Sequence, residues 1–227
     1  PPAGEALPPA VAIVNPNRQD DVSGLGYLCA AGVTFRAIVA LNRALRRRGR
    51  FAGRAEPDLL GLLDLVALGT VCDVVPLAGL NRAFVTAGLK VMRRRGNAGL
   101  AALADAARLK GPVAAYHLGF LLGPRINAGG RIGDAGLGTR LLVTDDPVAA
   151  RDIAERLDGL NRERSEMEAE ALAEAEAMTL GAEGAVTVVA GDWHPGVVGL
   201  VAARLVERAG RPAIVLGRAV DGVATGS

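Results

Sequence analysis

Three short stretches of this chain hold residue types at spacings suited to metal or phosphate chemistry. The first is Thr70-Val71-Cys72-Asp73-Val74-Val75-Pro76, a single carboxylate among β-branched neighbours. Such a carboxylate is costly to bury unless it is paired, hydrogen-bonded or bound to a cation. Asp73 therefore reads either as a ligand for a hard cation such as Mg²⁺ or Mn²⁺, or as a cap for nearby backbone N–H groups. The second stretch, residues 123–133, carries Arg125, Asn127 and Arg131 in a glycine-rich sequence expected to form a loop. Glycines let a ligand approach the backbone, and arginine forks match phosphate oxygens. The alternative is a tight turn whose arginines bind helix carbonyls. The third stretch, Trp193-His194-Pro195-Gly196, joins a strand to a helix. Free N–H groups at that helix start form a candidate anion site, and His194 either contacts a phosphate or base or caps the helix. His117, beside Tyr116, reads as a packing residue.

The elements that must position these residues follow from periodicity. Residues 10–14 read as a short buried strand closed by the turn Asn15-Pro16-Asn17. Helical patterns cover residues 32–47, from about 57 to 69, 81–95, 98–108 and 114–122. Asp146-Pro147 supplies an N-cap and first-turn proline. From 152 to 178 the pattern is continuously helical, roughly 40 Å long. Its narrow apolar seam of Leu157, Leu160, Met167 and Ala171 is interrupted by Arg164. A connecting helix between two domains fits this better than a core helix; a coiled-coil dimer is the rival. Residues 185–190, 194–209 and 212–216 then read as β-α-β.

Composition narrows the class. With half of the 227 residues hydrophobic and 22% charged, the chain is a globular protein, not a disordered tail. No apolar run approaches the roughly 20 residues of a membrane span, and the first residues lack a signal-peptide pattern, so a cytoplasmic location is expected. Cys29 and Cys72 lie far apart, outside any zinc spacing, and read as small buried thiols. Net charge is only +2, but arginines cluster at Arg46-Arg47-Arg48, Arg50 and Arg93-Arg94-Arg95. Such clusters either draw in nucleic acid or complement helix ends. One Trp, two Tyr and four Phe are too few for a base-stacking platform.

Four segments together carry a resemblance: Ala12-Ile13-Val14-Asn15-Pro16-Asn17; residues 68–77, reading LGTVCDVVPL; residues 123–131, reading GPRINAGGR; and residues 193–199, reading WHPGVVG. In this order they resemble the RecJ family of the DHH phosphoesterase superfamily, over essentially the whole chain. The resemblance implies an α/β fold in which residues 1–151 are the later part of a DHH domain, 152–180 a connecting helix, and 181–227 the start of a DHHA1 domain. It implies a metal-dependent 5′→3′ exonuclease on single-stranded DNA, serving repair and recombination. Asp73 maps to a ligand of a two-metal Mn²⁺ or Mg²⁺ centre, and Arg125, Asn127 and Arg131 map to the substrate path. Gly226-Ser227 maps to the opening of a phosphate-binding motif that continues with an arginine. Single-stranded DNA is the implied partner, with a single-strand-binding protein or helicase as protein partners and a monomeric state.

The family's remaining aspartates and its Asp-His-His triplet precede the segment matching residue 1, so the chain reads as an internal fragment, inactive alone. Two other readings compete: a phosphodiesterase of the same superfamily acting on short oligonucleotides or cyclic dinucleotides, and a non-catalytic nucleic-acid-binding scaffold.

Overall fold

A computed structural model describes residues 8–180, 184–218 and 223–227. The chain divides into two compact units, residues 1–123 and 124–227. The fold is α/β, with the described strands all in the second unit.

In the first unit, α1 (Ala30–Arg47) starts at Cys29, whose thiol accepts the Gly32 N–H, and ends in Arg46 and Arg47, which complement its dipole. A 3₁₀ turn (Leu60–Leu62) leads into α2 (Leu63–Cys72), which packs along α3 (Gly79–Met92). Gly88 allows that approach, since a Cβ there would lie 2.1 Å from the Leu63 carbonyl oxygen. Leu28, Phe35, Leu63, Val66 and Phe84 form the core, with Phe35 and Phe84 edge-to-face at 5.6 Å. α4 (Ala98–Ala106) is capped by the Asn97 side chain. A short α5 (Ala115–His117) runs into a π-helical turn (Leu118–Leu122) that packs on α2. His117 Nδ1 accepts the Ala114 N–H at 3.0 Å, so this histidine caps the helix start.

The strand expected at residues 10–14 does not form: Val11 and Val14 are exposed. A lone strand leaves its ladder unpaired, and the described strands pair only with one another. The turn after it does form, with Asn15 Oδ1 accepting the Asn17 N–H at 2.9 Å. Residues 1–7, read above as the stretch following an Asp-His-His triplet, lie outside the described residues.

Asp64, in the first turn of α2, is 4% exposed, and burial pushes its carboxyl pKa above the ordinary carboxylate range. A raised folded-state pKa means that the native state takes up the proton more readily than the unfolded chain. The charged form therefore costs stability, fully so above the folded pKa, and the cost fades as pH falls toward about 4. Asp64→Asn is expected to raise the urea midpoint at neutral pH, with the gain shrinking near pH 4. A gain independent of pH would assign it to something other than the charge.

The second unit opens with α6 (Gly123–Ile132), α7 (Gly136–Val143) and α8 (Pro147–Thr179). Asp146 caps α8 through the Val148 N–H, with Pro147 in the first turn. At 33 residues α8 is roughly 50 Å long. Then come β1 (Thr187–Gly191), α9 (Pro195–Ala209), β2 (Ala213–Arg218) and β3 (Ala224–Gly226). β1 and β2 are parallel, Val189 opposite Val215, and β3 runs antiparallel to β2. α8 and α9 close over the sheet around Ala171, Ala175, Trp193, Val201 and Leu205. The packing boundary falls earlier than the expected division after residue 151, because α7 and α9 both pack on α8.

Candidate functional site

Asp73 stands where α2 ends. Its backbone N–H bonds the Gly69 carbonyl at 3.0 Å, but its exposed carboxylate makes no hydrogen bond or ion pair among the described residues. The capping alternative therefore falls away: no backbone N–H uses this side chain. Three local features work against a structural role. A negative charge opposes the dipole at a helix C-terminus. Val74, a β-branched residue, takes the left-handed conformation at φ 55°, a position that favours glycine. The neighbouring Cys72 thiol is pushed up to about 11 by burial, reinforced by the Asp73 charge. Local rules broken together without structural return are a mark of functional sites.

The loop beyond is held firmly. Asn81, fully buried, donates its amide hydrogens to the Tyr27 and Pro76 carbonyls at 3.0 and 2.9 Å. Cys72 Sγ donates to the Leu118 carbonyl, tying the end of α2 to the π-helical turn. Both cysteines are free thiols.

In the second unit the glycine-rich stretch is helix α6, not a loop, and this corrects the expectation. Its glycines serve helix packing: a Cβ on Gly129 would lie 3.1 Å from Leu157, and one on Gly133 2.8 Å from Leu160. With the helix formed, its polar residues separate. Asn127 and Arg131 line a groove of about 470 Å³ with Arg164, Ser165, Glu168 and Arg204. Arg125 is instead 14% exposed, and its Nε donates to Asp158 at 2.9 Å.

The groove explains the interrupted seam of α8. Ala150, Ala154, Leu157, Ala171 and Ala175 bury one stripe, and positions 164 and 168 fall on that stripe at helical spacing. There the apolar residues give way to an Arg164–Glu168 ion pair, with Arg204 of α9 3.6 Å from the same carboxylate. Arg164 Nε is buried with no partner. Sequence reading missed Arg164, Glu168 and Arg204 as site residues; the break in the seam was their signal.

His194 is the N-cap of α9, its Nδ1 accepting the Gly196 N–H at 3.0 Å. Arg131 reaches the same turn, donating to the Gly196 carbonyl at 3.2 Å. A Cβ on Gly196 would lie 2.2 Å from the Arg131 carbonyl oxygen, so α6 and α9 meet backbone to backbone there. Ser227 bonds Val215 in both directions at the sheet edge, and a Cβ on Gly199 of α9 would lie 3.4 Å from its hydroxyl. Arg131, His194, Gly226 and Ser227 thus share the surroundings of the α9 start. Asp73 belongs to the other unit, and among the described residues no group of three or more His, Cys, Asp or Glu stands close enough to hold a metal ion.

No family model matches the chain. It is 43% identical to the single-stranded-DNA-specific exonuclease RecJ of Dickeya dadantii, over 99% of this chain and 41% of the relative. It is 42% identical to that of Escherichia coli K12, with the same coverages. Among solved structures, RecJ of Thermus thermophilus in complex with Mn²⁺ covers 82% of the chain at a TM-score of 0.69 and 35% identity. A RecJ exonuclease bound to manganese covers 81% at 0.68 and 35% identity. The chain spans about two fifths of the length of the curated relatives it matches first. With matches running through all four motif segments and across both units, the chain belongs to the RecJ family.

Proposed function

We propose that this chain is part of a metal-dependent exonuclease that hydrolyses single-stranded DNA from its 5′ end, acting in the cytoplasm in repair and recombination. The observation that carries the proposal is similarity over 99% of the chain to proteins named single-stranded-DNA-specific exonucleases. Asp73 supplies one metal ligand. Its donor set fits: a hard carboxylate, exposed and unpartnered, on a loop fixed by Asn81. A bound Mn²⁺ or Mg²⁺ pair would supply a water nucleophile and charge stabilisation at phosphorus. The other residues bind and orient the strand: Arg131 and Asn127 meet phosphates along the groove, with His194, Gly226 and Ser227 at the start of α9. Arg125 holds α6 to α8 through Asp158 and stands behind that surface. A monomer acting with a single-strand-binding protein or a helicase completes the reading. No helix among the described residues is long and apolar enough to cross a membrane.

The reaction class is tested by comparing a long 5′-phosphorylated single strand with a dinucleotide as substrates of the full-length protein. Faster turnover of the long strand is expected, and preference for the dinucleotide would move the protein to the short-oligonucleotide branch of its superfamily.

The groove makes a separate prediction. Arg131→Ala is expected to lower the slope of log affinity against log salt by about 0.7–1 unit, the share of one phosphate contact. Arg125→Ala is expected to lower the melting temperature instead, since it leaves half-buried Asp158 with only the longer, 3.5 Å contact of exposed Arg162. Fluorescence anisotropy with oligo(dT) at several salt concentrations, beside thermal melts, separates the two. An unchanged slope for Arg131→Ala would leave that arginine with only its Gly196 contact.

A further inference from the structure

The charge of this chain is distributed unevenly. Residues 30–54 hold seven arginines and no aspartate or glutamate, in a chain whose net charge is +2. The structure separates these arginines by task. Arg46 is engaged by Glu56 through two hydrogen bonds, and Arg54 donates to the Arg50 carbonyl. Arg36, Arg43 and Arg47 are exposed and make no hydrogen bond or ion pair among the described residues. Their spacing, i, i+7 and i+11, brings them onto one stripe of α1. Together with Val39, Ala40 and Ala44 they line a shallow groove of about 310 Å³ that no acidic side chain enters.

Three like charges on one helix face repel one another, and only Arg47, in the last turn of α1, offsets this through the helix dipole. The groove they flank is too small-sided for an amphipathic peptide, whose apolar anchors would meet only Val39 and two alanines. What it offers is a row of guanidinium forks with small residues between them, so that a backbone can lie close. The row spans roughly 16 Å along the helix axis, room for several successive phosphates of one strand. Fork-shaped donors match phosphate oxygens two at a time.

We infer that Arg36, Arg43 and Arg47 of α1 form a second contact track for the phosphate backbone of single-stranded DNA, on the first unit and distinct from the groove of α6, α8 and α9. The track adds affinity without reading sequence, because phosphates carry none. It rests on the proposed function only in taking single-stranded DNA as the ligand.

The test is a triple variant, Arg36→Gln with Arg43→Gln and Arg47→Gln, titrated against fluorescent oligo(dT) from low to moderate salt. Binding is expected to weaken roughly tenfold at low salt, and the log–log salt slope to fall by about two units, as three lost phosphate contacts require for a single strand. The single variant Arg46→Gln, which removes a charge already paired with Glu56, is expected to leave the slope within about half a unit. A slope unchanged in the triple variant would overturn the track. So would equal losses in both variants, which would mean that only overall charge matters. Competition by poly-glutamate as strong as by oligo(dT), or tighter binding of duplex than of single strand, would also overturn it. Circular dichroism melts confirm that the exposed substitutions leave the fold intact. Because the readout is binding, failure here leaves Asp73-dependent hydrolysis untouched, and failure of hydrolysis leaves this binding result standing.

Discussion

Replacing Asp73 with Asn in the full-length protein is expected to reduce hydrolysis of single-stranded DNA by about a hundredfold or more, with no loss of stability. The two halves of this expectation come from the same observation. The carboxylate is exposed and makes no contact that supports the fold, so its removal should cost little. It sits at the negative end of α2, so neutralising it should raise the melting temperature slightly, by a few tenths of a kcal/mol in stability at most. A structural aspartate would behave oppositely, with activity falling only as the protein unfolds. Steady-state assays in Mn²⁺ beside a thermal melt decide between them. Near-normal turnover by Asp73→Asn would remove this residue from the metal centre, and a drop in melting temperature matching the lost activity would make it structural.

A methyl group added at Gly196 is expected to damage the second unit more than any exposed substitution in its groove. The new Cβ would stand 2.2 Å from the Arg131 carbonyl oxygen and 2.9 Å from its carbon, both backbone atoms that cannot swing aside. α9 must then withdraw from α6, at a cost of about 1–3 kcal/mol. Arg131 loses its hold on the Gly196 carbonyl at the same time. Gly196→Ala should therefore lower both the melting temperature and the affinity for oligo(dT), the second by more than Arg131→Ala does. Gly130→Ala, in the same α6 and with open space around its Cβ, is the control. It is expected to be neutral or to stabilise by up to about 1 kcal/mol, as alanine replaces glycine within a helix. Equal melting temperatures for the two variants would show that the close approach of α6 and α9 is not required.

Much of the architecture was legible from residue order, for reasons that are local. Asp146-Pro147 capped α8 as read, because an N-cap depends on neighbours two residues away. His194 took the capping role for the same reason. The β-α-β unit followed from β-branched runs on either side of an amphipathic helix. The family emerged from four motif segments, since residue identity at fixed spacing survives in a linear string.

What failed were the places where a distant partner decides. Residues 10–14 have strand composition, but a strand exists only beside another. The glycines of residues 123–133 suggested a loop, whereas in the fold they let α6 lie against Leu157 and Leu160 as a helix. The divergence of Arg125 from Arg131 follows from that helix, which turns one to Asp158 and the other to the groove. Sequence alone thus determined the residue types, the caps, the helical stripes and the family kinship, all of which depend on neighbours a few positions apart. Which arginines are spent on carboxylates and which stand free, and that Arg164, Glu168 and Arg204 meet at all, was decided only by tertiary packing. The Arg164–Glu168 pair follows the i, i+4 spacing of a helix. Arg46 with Glu56, Arg125 with Asp158 and Arg204 with Glu168 instead join residues ten or more positions apart, which no local rule of spacing encodes.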